Sequence, residues 1–187
     1  MFDGDEDRNL TDPVYDGLAL IKPPVFKDDR GVFFESFNHN KFSGLFPQTN
    51  FVQDNLSISH KNVLRGLHFQ LPPFDQGKLV QVLKGSVLDV AVDLRRKSST
   101  FGKHFQVVLN DINRLQFWIP PGFAHGFLSL EENTIFSYKC TNNYSPEHEE
   151  TICWNDKDLG INWGETAVIV SAKDQQGIPF RLFNTPF

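Results

Sequence analysis

Residues 78–94 read KLVQVLKGSVLDVAVDL, and their alternation constrains this chain more than any other feature. Leu79, Gln81 and Leu83 fall on one face of an extended segment, Val80 and Val82 on the other. Gly85 marks a turn. Beyond it Leu88, Val90, Val92 and Leu94 share a face opposite Asp89, Ala91 and Asp93. A period of two is the signature of a strand. The same reading groups Phe105, Val107 and Leu109 in HFQVVLN, and Thr134, Phe136, Tyr138 and Cys140 in NTIFSYKC. After residue 50 such runs are short and punctuated by Gly, Pro and Asn, the pattern of a sandwich or barrel. Helix is expected only in NHNKFSGLF (38–46), with a further turn near 155–160. The predicted fold is therefore all-β, a barrel of antiparallel strands with few short helices. Architectures of this kind enclose concavities that hold a small ligand.

Nothing divides the chain, so its 187 residues are read as one domain, 1–187, with residues 1–15 as a frayed acidic tail. That length buries a core without disulfide or metal staples, and 19 Phe predict an aromatic-rich one. The net charge of −5, without a basic stripe, argues against a nucleic-acid partner. MFDGDEDRNLTD lacks the basic and apolar regions of a signal peptide, and no apolar run is of membrane-spanning length. A soluble cytoplasmic protein with no membrane partner is expected. Cys140 and Cys153 lack a CxxC spacing and are expected as buried, reduced thiols.

The chemistry-bearing residues start with His68 in RGLHFQ. Strand parity puts His68 on one face with Leu64, Gly66 and Gln70, opposite Leu67 and Phe69. A polar pair of this kind is either solvent-facing or turned into a pocket. IPPGFAHGF adds a second histidine, His125, in a Pro-x-Gly-x-x-His arrangement whose Pro and Gly make a tight turn into a strand. This resembles the second motif of the cupin superfamily, small jelly-roll barrels. The first cupin motif normally supplies His-x-His and a Glu as metal ligands; here the segment reads His68-Phe69-Gln70, followed by Gln76 and Lys78. Two histidines, an amide and a cation are a poor donor set for a transition metal, so no metal is expected. The remaining side chains suit proton abstraction beside a carbonyl. His68 is the candidate base, Lys78 or His125 the stabiliser of the enolate, and Tyr138 the candidate acid. Taken alone, Lys78 also reads as a solvated strand-end lysine and Tyr138 as a core aromatic.

Ten segments sharpen this reading: DDRGVFFESF, FVQDN, NVLRGLHFQ, QGKLVQV, VAVDLR, STFGK, WIPPGFAHGF, YKCTNNYSPEHE, WNDKDLGI and SAKD. In this order, over roughly residues 20 to 175, they resemble the dTDP-4-dehydrorhamnose 3,5-epimerase family. The resemblance implies a cupin-type jelly roll working without metal or redox cofactor. It epimerises C3 and C5 of a dTDP-linked 4-keto sugar, dTDP-4-dehydro-6-deoxy-D-glucose. It implies His68 as base, Asp174 as its carboxylate partner and Tyr138 as acid. It further implies substrate contacts from Arg30, Glu35, Gln53, Asp54, Asn55, Arg65, Lys78, His125, Glu149 and Lys173, the cations suiting a diphosphate. A homodimer is implied, N-terminal segments reaching the partner's site. The chain departs from the family at Asn143 in TNNYSP, where a tyrosine often stacks on thymine; the adjacent Tyr144 is the candidate replacement. Parity also puts Arg65 opposite His68, a conflict that a bulge at Gly66 would remove. The competing readings are a sister epimerase acting at one carbon or on another nucleotide, a metal-dependent cupin, and a non-catalytic sugar-binding jelly roll.

Overall fold

The structure is a computed structural model that describes residues 17–164 and 167–187; the expected tail over 1–15 lies outside the described residues. In chain order the elements are β1 (Ala19–Ile21), β2 (Val25–Asp28), β3 (Gly31–Phe34), α1 (His39–Leu45), β4 (Gln53–Ser59), β5 (Val63–Gln70), β6 (Lys78–Lys84) and β7 (Ser86–Asp93). They continue with β8 (His104–Asn110), β9 (Gln116–Ile119), β10 (Phe123–Ser129), β11 (Thr134–Cys140), β12 (Glu149–Thr151) and β13 (Ile169–Val170). Short 3₁₀ turns follow at Asp174–Gln176 and Phe180–Leu182.

Two sheets face each other as a jelly roll. One has the order β1-β9-β6-β11-β4; the other runs β12-β5-β10-β7-β8, with β13 parallel to β5. A separate hairpin pairs β2 with β3. Val80 and Val82 of β6, Phe117 of β9 and Phe136 of β11 meet Val87, Ala91, Leu109, Phe123 and Phe127 from the second sheet. The alternation separates the two faces of β7, but Val87 and Ala91 line the interior, whereas Val90, Val92 and Leu94 of the more apolar face pack outside it; Phe105, Val107 and Tyr138 pack at the edge of the interior. Each such aromatic or branched side chain stabilises the fold by about 1.5–3 kcal/mol when fully buried.

The second sheet is covered on its outer face as well. Val90, Val92, Leu94, Leu64, Leu67 and Phe69 pack there against Ile152, Leu159, Trp163 and the C-terminal Phe180, Phe183 and Phe187. The C-terminal segment thus forms a third layer, and it returns Asp174 to strand β5. On the outer face of the first sheet, α1 inserts Phe42 against Trp118, Phe46 and Phe51. The helix falls within the expected 38–46, and the Asn38 side chain caps it by accepting from the Lys41 N–H at 3.2 Å.

Of the two thiols, Cys140 is buried as expected, but Cys153 is only half-buried: its Sγ lies 3.0 Å from Asn155 Oδ1 on the outer turn. Among the described residues no helix is long and apolar enough to cross a membrane.

Candidate active site

Strand β5 carries the first half of the site, and it is irregular. His68 pairs with His125 of β10, whereas Arg65 pairs with Phe127. Three residues of β5 therefore span what two of β10 span, which is a β-bulge. Gly66 makes it feasible. Its φ is +137°, and a Cβ there would lie 2.5 Å from Gly126 Cα. The inserted residue reverses the parity of the strand. Arg65 and His68 line one cavity of about 370 Å³ together with Glu149, Lys173 and Asp174. Leu64, which parity grouped with His68, packs instead beside Leu67 in the outer core; the bulge between them is the reason.

His68 Nε2 lies 2.6 Å from Asp174 Oδ1, and Asp174 Oδ2 accepts from the Gly66 N–H at 3.2 Å. The carboxylate is 3% exposed. Burial pushes its pKa up, but the His68 contact, the Gly66 N–H and Ser171 outweigh this and hold it below the usual carboxylate range. A nitrogen facing a carboxylate must carry the proton. His68 therefore donates through Nε2, and Nδ1 is left as the acceptor of a neutral ring.

A second cavity, about 200 Å³, shares His68 and Glu149 with the first and is also lined by Gln53, Asn55, Lys78, Tyr138 and Tyr144. The sheet opposite β5 supplies most of these side chains. Gln53, Asn55, Tyr138 and Lys78 all come from the adjacent strands β4, β11 and β6. Lys78 is buried, not the solvated strand-end lysine of the simpler reading. Burial lowers the pKa of its ammonium, opposed by Cys140, Glu149 and Asp89. Burial likewise raises the Tyr138 phenol, which keeps it protonated at neutral pH.

His125 arrives by the expected route, from the turn at Gly122, whose φ is +89°. It is buried, and its Nε2 lies 3.0 Å from both oxygens of Asp89. Burial lowers its pKa despite that carboxylate. A neutral His125 that donates to Asp89 cannot also supply positive charge to an oxyanion, so that task falls to Lys78. Asp89 is the member that sequence reasoning missed. The signal was an acid in an otherwise apolar strand, on the face it shares with Asp93; both prove completely buried. Among the described residues, no three His, Cys, Asp or Glu side chains gather as a metal-ligand set.

The sequence model of the dTDP-4-dehydrorhamnose 3,5-epimerase family matches residues 14–181. The chain belongs to that family. It is 49% identical over 169 residues to the dTDP-4-dehydrorhamnose 3,5-epimerase of Methanothermobacter thermautotrophicus, covering 89% of this chain and 91% of that protein. It is 51% identical over 162 residues to the Escherichia coli protein of the same name, covering 85% and 87%. It superposes with a TM-score of 0.90 on a crystal structure of the Legionella pneumophila dTDP-6-deoxy-D-glucose-3,5-epimerase in complex with dTDP-4-keto-L-rhamnose. Identity there is 46%, and 94% of each chain is covered.

Of the residues that the epimerase resemblance singled out, the chain brings most but not all to the cleft. His68, Asp174, Tyr138, Lys78, Gln53, Asn55, Arg65, Glu149 and Lys173 line its two lobes, with His125 behind them. Arg30 sits at the turn of the β2–β3 hairpin, bonded to Asp28. Glu35 holds Asn38 and Lys41 beside α1. Asp54 lies on the outer face of β4, paired with Lys139 at 2.9 Å; strand parity turns it away from Gln53 and Asn55. Asn143 is exposed and lines neither lobe; its carbonyl accepts from Gln70. The aromatic at the mouth is Tyr144, half-exposed, its hydroxyl donating to Glu149 at 2.7 Å. Glu149 in turn receives the Lys173 ammonium.

Proposed function

We propose that this chain catalyses 3,5-epimerisation of dTDP-4-dehydro-6-deoxy-D-glucose to dTDP-4-dehydro-L-rhamnose. The observation that carries the reading is the His68–Asp174 pair at 2.6 Å in the same cleft as Tyr138 and Lys78. In the reaction, His68 Nδ1 takes a proton from the carbon beside the 4-keto group, and the C–H electron pair moves to the carbonyl oxygen as an enolate. Asp174 stabilises the imidazolium that forms. Lys78 offsets the charge on the oxygen. Tyr138 donates its proton to the opposite face of the same carbon. His68 then releases its proton to water and the phenolate regains one, so no atom or electron is gained or lost. The second carbon follows by the same steps. The phosphates find cations in Arg65 and Lys173, which line the larger lobe.

The working unit is a homodimer. Support comes from apolar surface outside the cleft: Val32 and Phe33 of the hairpin are 48% and 70% exposed, and Leu56 and Ile58 on the outer face of the edge strand β4 are 59% and 60% exposed. Exposed large apolar side chains of this kind suit an interface. Arg30 and Glu35 lie on these N-terminal elements, and a partner subunit gives them a route to the opposite cleft.

The test is proton NMR of dTDP-, UDP- and GDP-linked 4-keto-6-deoxy sugars with the enzyme in deuterated water. Deuterium at both C3 and C5 of the dTDP sugar, with inversion, is the expected result. Wash-in at one carbon alone would make it a mono-epimerase, and faster turnover of another nucleotide would reassign the substrate. Light scattering after size exclusion should give a dimer, and Phe33→Asp should weaken it.

A further inference from the structure

Gln70 lies two residues beyond His68 on β5, is 3% exposed, and has both ends of its amide engaged. Its Nε2 donates to the Phe74 carbonyl at 2.6 Å and the Asn143 carbonyl at 3.1 Å; its Oε1 accepts from the Ser145 N–H at 2.8 Å. Two further glutamines act on the same segment. Gln76 Nε2 donates to the Asn142 carbonyl at 2.7 Å, and Gln53 Oε1 accepts from the Tyr144 N–H at 2.8 Å. Each of residues 142–145 thus has a backbone group held by a glutamine side chain. The segment has no ladder of its own, and irregular backbone must satisfy its polar groups through side chains or water. At its centre is Tyr144, the aromatic at the mouth of the cleft.

We infer that Gln70 is a positioning residue for the nucleotide end of the substrate: it ties the strand of His68 to segment 142–145 and so fixes the Tyr144 ring before ligand arrives. The inference rests on the nucleotide-sugar reading above. The physical gain is preorganisation, because a ring ordered in advance loses less freedom on binding. Gln70 is the centre of the clamp because it alone of the three contributes both a donor and an acceptor to the segment. It is also deeply buried, where its bonds do not compete with water.

Gln70→Glu tests this at constant size. One carboxylate oxygen still accepts from Ser145. The other replaces the Nε2 donor and faces two carbonyl oxygens, so the ionised form repels the segment. The protonated form restores one donor, and burial favours that form. We expect the KM for the dTDP sugar to rise about tenfold at pH 8 with kcat within about threefold, the mark of lost uniform binding. The KM ratio of variant to wild type should narrow towards pH 6. Amide exchange across 142–145 should accelerate. In a Tyr144→Ala background the same change should add little to KM, because residues acting through one another are not additive. A fall in kcat with KM unchanged would overturn the inference, as would an additive effect in that background or an unchanged KM at pH 8. If Gln70→Glu shows no cooperative melt, Gln76→Ala takes its place, removing the donor to Asn142 and predicting a smaller KM rise with the same non-additivity. Absence of deuterium wash-in with wild-type enzyme would count against the epimerase reading instead. The clamp is then judged by calorimetric affinity for dTDP and by amide exchange, neither of which needs turnover.

Discussion

Asp174→Asn alters one atom and removes one charge at the centre of the site. Asp174 faces two N–H groups, His68 Nε2 at 2.6 Å and Gly66 N at 3.2 Å, with different oxygens. Asparagine has one oxygen for the two positions. If that oxygen stays on Gly66, the amide NH₂ meets His68 Nε2, which must then be the acceptor. The imidazole proton moves to Nδ1, and the ring cannot take a proton from substrate. If the oxygen turns to His68, the productive tautomer survives but the buried Gly66 N–H faces a donor, at a cost of about 1–3 kcal/mol. In either case the imidazolium loses a charge-assisted partner for a neutral one, a further difference of about 1–2 kcal/mol. The sum, about 2–5 kcal/mol, corresponds to a roughly 30- to 5,000-fold fall in kcat at 1.36 kcal/mol per decade.

Because the interaction strengthens only as His68 becomes charged, KM should change little. The assay is deuterium wash-in at C3 and C5 by NMR, with circular dichroism to show an intact fold. Exchange at the two carbons should fall together, since one base serves both. Exchange within threefold of wild type would refute the role of the pair, and loss at only one carbon would refute the single base.

Tyr138→Phe should leave thermal stability almost unchanged but remove finished epimer while some deuterium wash-in survives; unchanged product yield would return Tyr138 to a packing role. Lys78→Met should lower turnover by about 10²- to 10³-fold while leaving or raising the melting temperature at neutral pH, since burial disfavours the ammonium. Its folded pKa lies below the unfolded value of about 10.4, so the unfolded chain binds more protons between the two and wild-type stability rises with pH there; melting curves of Lys78→Met should lack that rise. Tyr144→Ala should raise the dTDP-sugar KM by about 5- to 150-fold, the range for loss of one base-stacking ring, with kcat little changed. Asn143→Tyr should improve KM only modestly, and a large gain there with Tyr144→Ala silent would mean that Tyr144 has not taken over the stacking position.

The strands of the barrel were legible from alternation, but which face of β7 lines the interior was not, because both are buried: Val87 and Ala91 inside, Val90 and Val92 in the outer core. Strand β5 broke the alternation. The residue inserted around Gly66 moves Leu64 into the outer core and brings Arg65 to the side of His68, and no periodicity counts an extra residue. Asp174 is 106 positions from His68, so its pairing came from the family resemblance and not from pattern. Asp89 was visible as an acid opposite the more apolar face of its strand but had no visible partner, because His125 reaches it from the neighbouring strand β10.

Strand β4 carries the most informative reversal. Its Gln53, Asn55, Ser57 and Ser59 point inward, in register with Cys140, Tyr138, Phe136 and Thr134 of β11, while Leu56 and Ile58 point out. Hydrophobicity alone would seat the strand the other way round. Two requirements outweigh it. The inward face meets a polar cleft, where Gln53 and Asn55 bond each other at 3.0 Å and Ser59 accepts from Arg65 at 3.2 Å. The outward face keeps two large apolar side chains at an unpaired sheet edge, a cost that the proposed homodimer would recover by covering it. The same seven residues therefore bear on both substrate and assembly. Leu56→Asp or Ile58→Asp should weaken the proposed dimer without touching the cleft, whereas Asn55→Leu should leave that dimer intact and impair binding.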